Sequence, residues 1–205
     1  MGAGVRIAIL GWGSLLWEPR PEFDQWHDRW KTGGPTLKLE FSRVSESRLG
    51  ALTLVIDEVH GVPTTVSWCL SKRVSPEDAV CDLRSREGTI LKNIGRLDVT
   101  RNTTSSSQGS VEALILAWAR LRKVDVVVWT ALASNFTGKT RCRFSVVAAM
   151  SHVKGQSQEG RVKAAEYVWR APAFVKTSVR TALQREAWFC KLAPRDSSAR
   201  KVLGK

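Results

Sequence analysis

Two stretches of this sequence hold residue types that can do chemistry. "GWGSLLWEPRP" (11–21) places Gly-Trp-Gly-Ser directly after the apolar run "VRIAIL" (5–10). "DLRSREGT" (82–89) ends on an acid, Glu87, followed by Gly88. Glycines after a strand let backbone approach a ligand closely, and successive open N–H groups there form an anion-binding nest. A single carboxylate can take a proton from an amine. Each stretch also has a structural reading: a tight turn with Trp12 and Trp17 in the core, and a glutamate on the solvated end of a helix.

Other chemistries fit the turn poorly. A dinucleotide fingerprint wants a third glycine at position 16, where Leu16 stands, and an immediate helix, which Pro19 and Pro21 interrupt. A nucleophile elbow wants glycines two residues either side of the serine; Trp12 and Leu16 flank Ser14 instead. A phosphate loop needs Gly-Lys-Ser/Thr, which does not follow. Glu18 is the acid nearest the turn and reads as a second carboxylate or, between prolines, as part of a structural bend. Trp26 and Trp30, four apart, read as core packing or cover for the turn.

The elements that must position these residues can be read from pattern. Residues 5–10 read as a β-strand ended by Gly11. "TLKLEFSRV" (36–44), "ALTLVID" (51–57) and "TTVSWCL" (64–70) alternate apolar and polar residues, with Gly61-Val62-Pro63 in a connection, and predict an antiparallel meander. Ser75-Pro76-Glu77-Asp78 is a helix start and Gly88 a stop, so a helix spans 76–87 with Glu87 at its end. "RNTTSSSQGS" (101–110) reads as a surface loop. A helix is expected at 111–121, a strand buried on both faces at 124–132, and helices at 144–154, 159–169 and 178–190. Residues 1–192 read as one domain and 193–205 as a basic, flexible tail that folding does not need.

Composition narrows the classes. The chain has 205 residues, 43% hydrophobic and 25% charged, in the globular range. No 18-residue apolar run exists, so no membrane span is expected. "MGAGVRIAIL" lacks the length and cleavage site of a signal peptide, and Arg6 stands where myristoylation wants Ser or Thr. Cys69, Cys81, Cys142 and Cys190 are scattered and read as reduced thiols of a cytoplasmic protein. His27, His60 and His152 are isolated, so no metal site is expected. The net charge of +13 lies wholly after residue 100: residues 101–205 hold 19 Lys+Arg against 6 Asp+Glu, whereas 1–100 hold 13 of each. That asymmetry is what a nucleic-acid or anionic-surface binder would use, although no run of five basic residues occurs.

The motifs together resemble the γ-glutamylcyclotransferase superfamily, in particular its bacterial γ-glutamylcyclotransferase-like branch. "GWGSLLWEP" is similar to that family's "YGSLLW" or "YGSN" signature after the first strand, with Trp12 in the tyrosine's place. The family's catalytic glutamate stands in a Glu-Gly or Arg-Glu context at a helix end; Glu87 has both neighbours and follows Ser14 by 73 residues. "SRVSESRLGALTLV", "VDVVVWTALASNF" and "AAEYVWRAPAFVKTSVRTAL" are weaker matches, and the resemblance covers most of 5–185.

The resemblance implies an α+β fold, a mixed, closed or nearly closed β-barrel surrounded by helices. It implies an enzyme that cyclises a γ-glutamyl amine or peptide to 5-oxoproline, with no cofactor. Glu87 would be the base. Trp12, Gly13, Ser14 and Leu15 would hold the glutamyl group, and Arg43 and Arg48 its carboxylate. With Tyr167 the one tyrosine in the chain, a more apolar pocket than in glutathione-type members is expected. The alternatives are a non-catalytic member binding a small carboxylated ligand, or an anionic-surface binder.

Overall fold

A computed structural model describes residues 4–105 and 109–194. Its elements, in chain order, are β1 (Ile7–Gly11), α1 (Pro21–Asp24), β2 (Thr36–Ser45), β3 (Ala51–Ile56), β4 (Val62–Thr65), β5 (Ser67–Leu70), α2 (Pro76–Glu87), β6 (Ile94–Asp98), β7 (Thr103–Thr104), α3 (Gly109–Arg122), β8 (Val126–Thr130), α4 (Phe136–Thr140), α5 (Val146–Gly155), α6 (Gln158–Arg170), α7 (Ser178–Leu183) and α8 (Ala187–Cys190). Short 3-10 turns lie at Gly13–Leu16, Glu46–Arg48 and Leu91–Asn93. The strands form a five-stranded sheet, β5-β1-β8-β6-β7, and a three-stranded sheet, β3-β2-β4. The fold is mixed α+β. The described chain divides into two compact units interleaved in sequence: residues up to Leu37 with Thr65–Leu132, and Lys38–Thr64 with residues from Ala133 onward.

The first unit holds the five-stranded sheet. β1 and β8 run parallel, Ile7 opposite Val126, and every residue of both is buried. This matches the apolar run expected at 124–132, trimmed to the residues that pair. Ala79 and Leu83 of α2 join Ile7, Ile9, Leu15 and Val128 in one core cluster. α2 has the bounds its caps predict. The Ser75 hydroxyl accepts from the Asp78 amide at 3.4 Å, and Gly88 closes the helix at φ 57°. Residues 101–105 are no simple loop: Thr103–Thr104 pair back on Leu97 and Asp98 as an edge strand. Residues 106–108 lie outside the described residues, and α3 already begins at Gly109.

The second unit holds the three-stranded sheet, save for the strand ends at Thr36, Leu37 and Thr65, with α4 to α8. β2 and β3 pair antiparallel, with a register shift between Phe41 and Arg43. The expected meander is corrected in two ways. β4 joins β2, not β3, and includes Val62-Pro63, which read as a connection. The apolar stretch 64–70 is also two strands of two different sheets, broken at Val66. There the amide of Val66 donates to Pro35 O, and its carbonyl accepts from the Gly34 amide at 2.9 Å, outside any strand. The helix expected at 178–190 is likewise two short helices, separated where Glu186 turns extended. Arg180 stands within α7, and its guanidinium, buried, donates to the carbonyls of Ala171, Pro172 and Val175 at 2.6 to 2.8 Å. Of the basic tail expected at 193–205, residues 195–205 lie outside the described residues.

Candidate functional site

The two glycines of the turn do different jobs. Gly11 ends β1 against an indole: a Cβ there would come within 2.5 Å of the Trp30 ring. Its bareness belongs to core packing, with Trp30 lying against the same cluster as Leu15 and Leu83. Gly13 has φ 60°, the left-handed region that side chains resist. It turns the chain from extended Trp12 into the 3-10 turn Gly13–Leu16. Trp12, Gly13, Ser14 and Leu15 are all buried. Trp12 stands at the cap position and makes no side-chain cap bond to the turn's amides, unlike a Ser or Asp cap.

α2 brings its C-terminal end to this turn. Ala79, Leu83 and Glu87 are four apart and share one helix face. The first two are buried in the cluster that includes Leu15, and Glu87 is half-buried, one turn beyond. Arg86 of this helix end reaches the turn. Its Nη2 donates to Ser14 O at 3.1 Å and to Glu18 O at 3.0 Å, and its side chain is 4% exposed. Ser14 O also accepts from the amides of Trp17 and Glu18, at 3.3 and 2.9 Å. Arg86 Nε is buried with no hydrogen-bond partner among the described residues. Sequence reasoning passed over Arg86, although it stands beside Glu87 in the Arg-Glu-Gly run.

Glu18 lies 3.0 Å from Arg20 Nη2 and 4.0 Å from Arg86 Nη2. Its carboxylate thus lies between Arg20 of its own segment and Arg86 of α2. Trp26 carries the Arg73 guanidinium 3.4 Å above its ring, and Arg73 is bidentate to Asp82 of α2. Trp26 and Trp30 are thus packing residues of this unit.

Arg43 and Arg48 belong to the other unit and have partners there. Arg43 Nη1 donates to Ala133 O at 2.9 Å, and partial burial pushes its guanidinium below its ordinary pKa. Arg48 ends the 3-10 turn after β2 and lies 5.0 Å over the Tyr167 ring. The three histidines lie against neighbouring groups. His27 lies against Phe23 and Trp30, His60 against Phe144, and His152 Nε2 is 2.8 Å from Gly50 O. Among the described residues no three His, Cys, Asp or Glu side chains gather as a metal would require. The four cysteines are free thiols, and burial pushes the Cys69 thiol well above its ordinary pKa. No helix of the described residues is long and apolar enough to cross a membrane.

No protein-family profile, curated protein or solved structure matches the chain.

Proposed function

We propose that this protein is a γ-glutamylcyclotransferase-like enzyme that converts a γ-glutamyl amine or peptide to 5-oxoproline and a free amine. The observation that carries the reading is local. The glycine turn after β1 and the helix end bearing Glu87 are packed in one unit, and Arg86 of that helix end grips the turn's Ser14 carbonyl. Beside it stands the resemblance of "GWGSLLWEP" and "SREGT" to the family's two motifs.

The chemistry asks little of the protein. The substrate's α-amine attacks its own γ-carbonyl carbon. A C–N bond closes the five-membered lactam, and the C–N bond to the leaving amine breaks. Holding the chain folded for attack removes an entropic barrier. Glu87 takes one proton of the ammonium to free the attacking amine and passes it to the leaving nitrogen, and the second proton, shed as the lactam N–H forms, follows it to give the released amine as its ammonium. Amides of Gly13, Ser14 and Leu15 stabilise the carbonyl oxygen as it gains charge. Two protons thus leave the attacking nitrogen and both end on the released amine, and no cofactor enters the balance.

The reading includes a cytoplasmic location, as four free thiols suit, and the closed or nearly closed barrel of the resembled family. The test is release of 5-oxoproline from glutathione, γ-glutamyl dipeptides and γ-glutamyl-ε-lysine. Release from one of them supports the enzyme. Binding of a γ-glutamyl compound without release would support a binding protein instead, and steeply salt-dependent association with polyanions would support the basic-surface alternative.

A further inference from the structure

We propose that Arg86 is a positioning residue for the turn Trp12–Leu15, cross-bracing it through two backbone carbonyls and thereby setting its amides against the helix end that bears Glu87. The inference rests on the proposed function for its catalytic consequence and on geometry alone for the bracing. One nitrogen, Nη2, reaches the carbonyl inside the turn, Ser14 O, and the carbonyl just beyond it, Glu18 O. The contacts are 3.1 and 3.0 Å, charge-assisted, and nearly shut off from water. They cross 72 and 68 residues of sequence, so they pin two separate segments to each other.

The brace also acts on the turn's donors. Ser14 C=O and Leu15 N–H belong to one peptide unit. A cationic donor on that oxygen draws electron density through the amide and makes the N–H a stronger donor. Arg86 would therefore strengthen one of the amides assigned to the developing oxyanion without touching substrate. The backbone one residue on carries Glu87, so the same anchor sets the base's origin. A buried guanidinium is costly to hold unless its donors are used, and among the described residues Nε finds no hydrogen-bond partner. Nη2, on the Ser14 and Glu18 carbonyls and 4.0 Å from the Glu18 carboxylate, is where the group is held.

The experiment compares wild type with Arg86→Met and Arg86→Lys by residue-resolved amide hydrogen exchange and by steady-state turnover of γ-glutamyl compounds. The amides of Trp17 and Glu18, which donate to Ser14 O, should exchange at least about tenfold faster in Arg86→Met, while those of Ala79–Leu83 keep their protection. Turnover should fall by about 10²-fold in kcat with KM changed less than about threefold, since binding stays and alignment goes. Arg86→Lys, which keeps the charge but loses the planar fork, should fall between. It carries both readouts if Arg86→Met does not fold. Unchanged exchange at Trp17 and Glu18 would overturn the brace. Faster exchange with kcat within twofold of wild type would overturn its positioning role. If wild type itself turns over none of these substrates, the functional reading fails and the exchange data still decide the brace.

Discussion

In each unit a buried arginine side chain clasps backbone carbonyls, Arg86 in one and Arg180 in the other. Arg180 closes its segment completely. Its guanidinium spans the Ala171, Pro172 and Val175 carbonyls, and just before it Thr177 caps α7 through the Arg180 amide. Glu40, with 0% exposure, accepts from the amides of Ser178 and Val179 at 3.0 and 3.4 Å and of Phe41 at 2.7 Å. Donors and acceptors meet on both sides. Arg86 holds carbonyls at its turn and just beyond it, and Trp12, the residue before the turn, gives it no side-chain cap. The first clasp is closed by a buried carboxylate on its amide side. The second, with no such cap from Trp12, is the open one.

Breaking the closed clasp should have the largest effect on stability. Arg180→Met strands three carbonyls in a buried site and is expected to cost about 3 kcal/mol or more, each unsatisfied group being worth roughly 1–3. Denaturant unfolding measures it. A loss under about 1 kcal/mol would show the segment held by apolar packing instead.

Gly13→Val attacks the open clasp. A β-branched residue at φ 60° should cost about 1–2 kcal/mol and displace the turn. Binding of a γ-glutamyl compound or 5-oxoproline should disappear, followed by calorimetry beside a melting curve. Undiminished binding would remove the turn from the site.

Glu40 sharpens the comparison through pH. Burial raises its pKa above the ordinary 4.5, outweighing the bonds from Thr177 and the backbone amides that pull it down. A raised folded-state pKa favours the protonated form in the fold. Its contribution is therefore fully present below about 4.5 and is lost as pH rises through the raised value. The stability of wild type relative to Glu40→Gln should decline over that window and be flat above it. A difference that instead grows with pH would reverse the sign of the assignment.

The smallest effect belongs to Arg48. Loss of its contact with the Tyr167 ring in Arg48→Ala should cost about 0.5–1 kcal/mol. Denaturant unfolding measures it, and a loss above about 2 kcal/mol would show that Arg48 does more than lie over that ring.

What could be read in advance was local. Ser75, Pro76 and Gly88 signal their helix within a few residues, so α2 and the place of Glu87 were legible. The break at Val66 was not, because its cause is pairing with Gly34 and Pro35, about thirty residues away. The partner of β4 was likewise a matter of sheet order, which alternation cannot encode. Gly11 and Gly13 look alike in the motif, yet one serves Trp30 and the other the backbone turn. Arg86 had a signal, a long cation beside the candidate base, but its acceptors are carbonyls that no residue type announces. Arg180 and Glu40 had none: Arg180 stands in an expected helix and Glu40 at a polar position of an alternating strand, and neither pattern announces a buried charge.

The most direct measurement is 5-oxoproline release by wild type and Glu87→Gln on the same γ-glutamyl compounds, with melting curves beside it. Glutamine keeps the shape and the hydrogen-bonding reach but cannot take the ammonium proton. The account predicts release by wild type, a fall of about 10²-fold or more in turnover for the variant, and an unchanged or slightly higher melting temperature. A folded Glu87→Gln protein that keeps most of its turnover, or a wild type that releases no 5-oxoproline from any of these compounds, would contradict it.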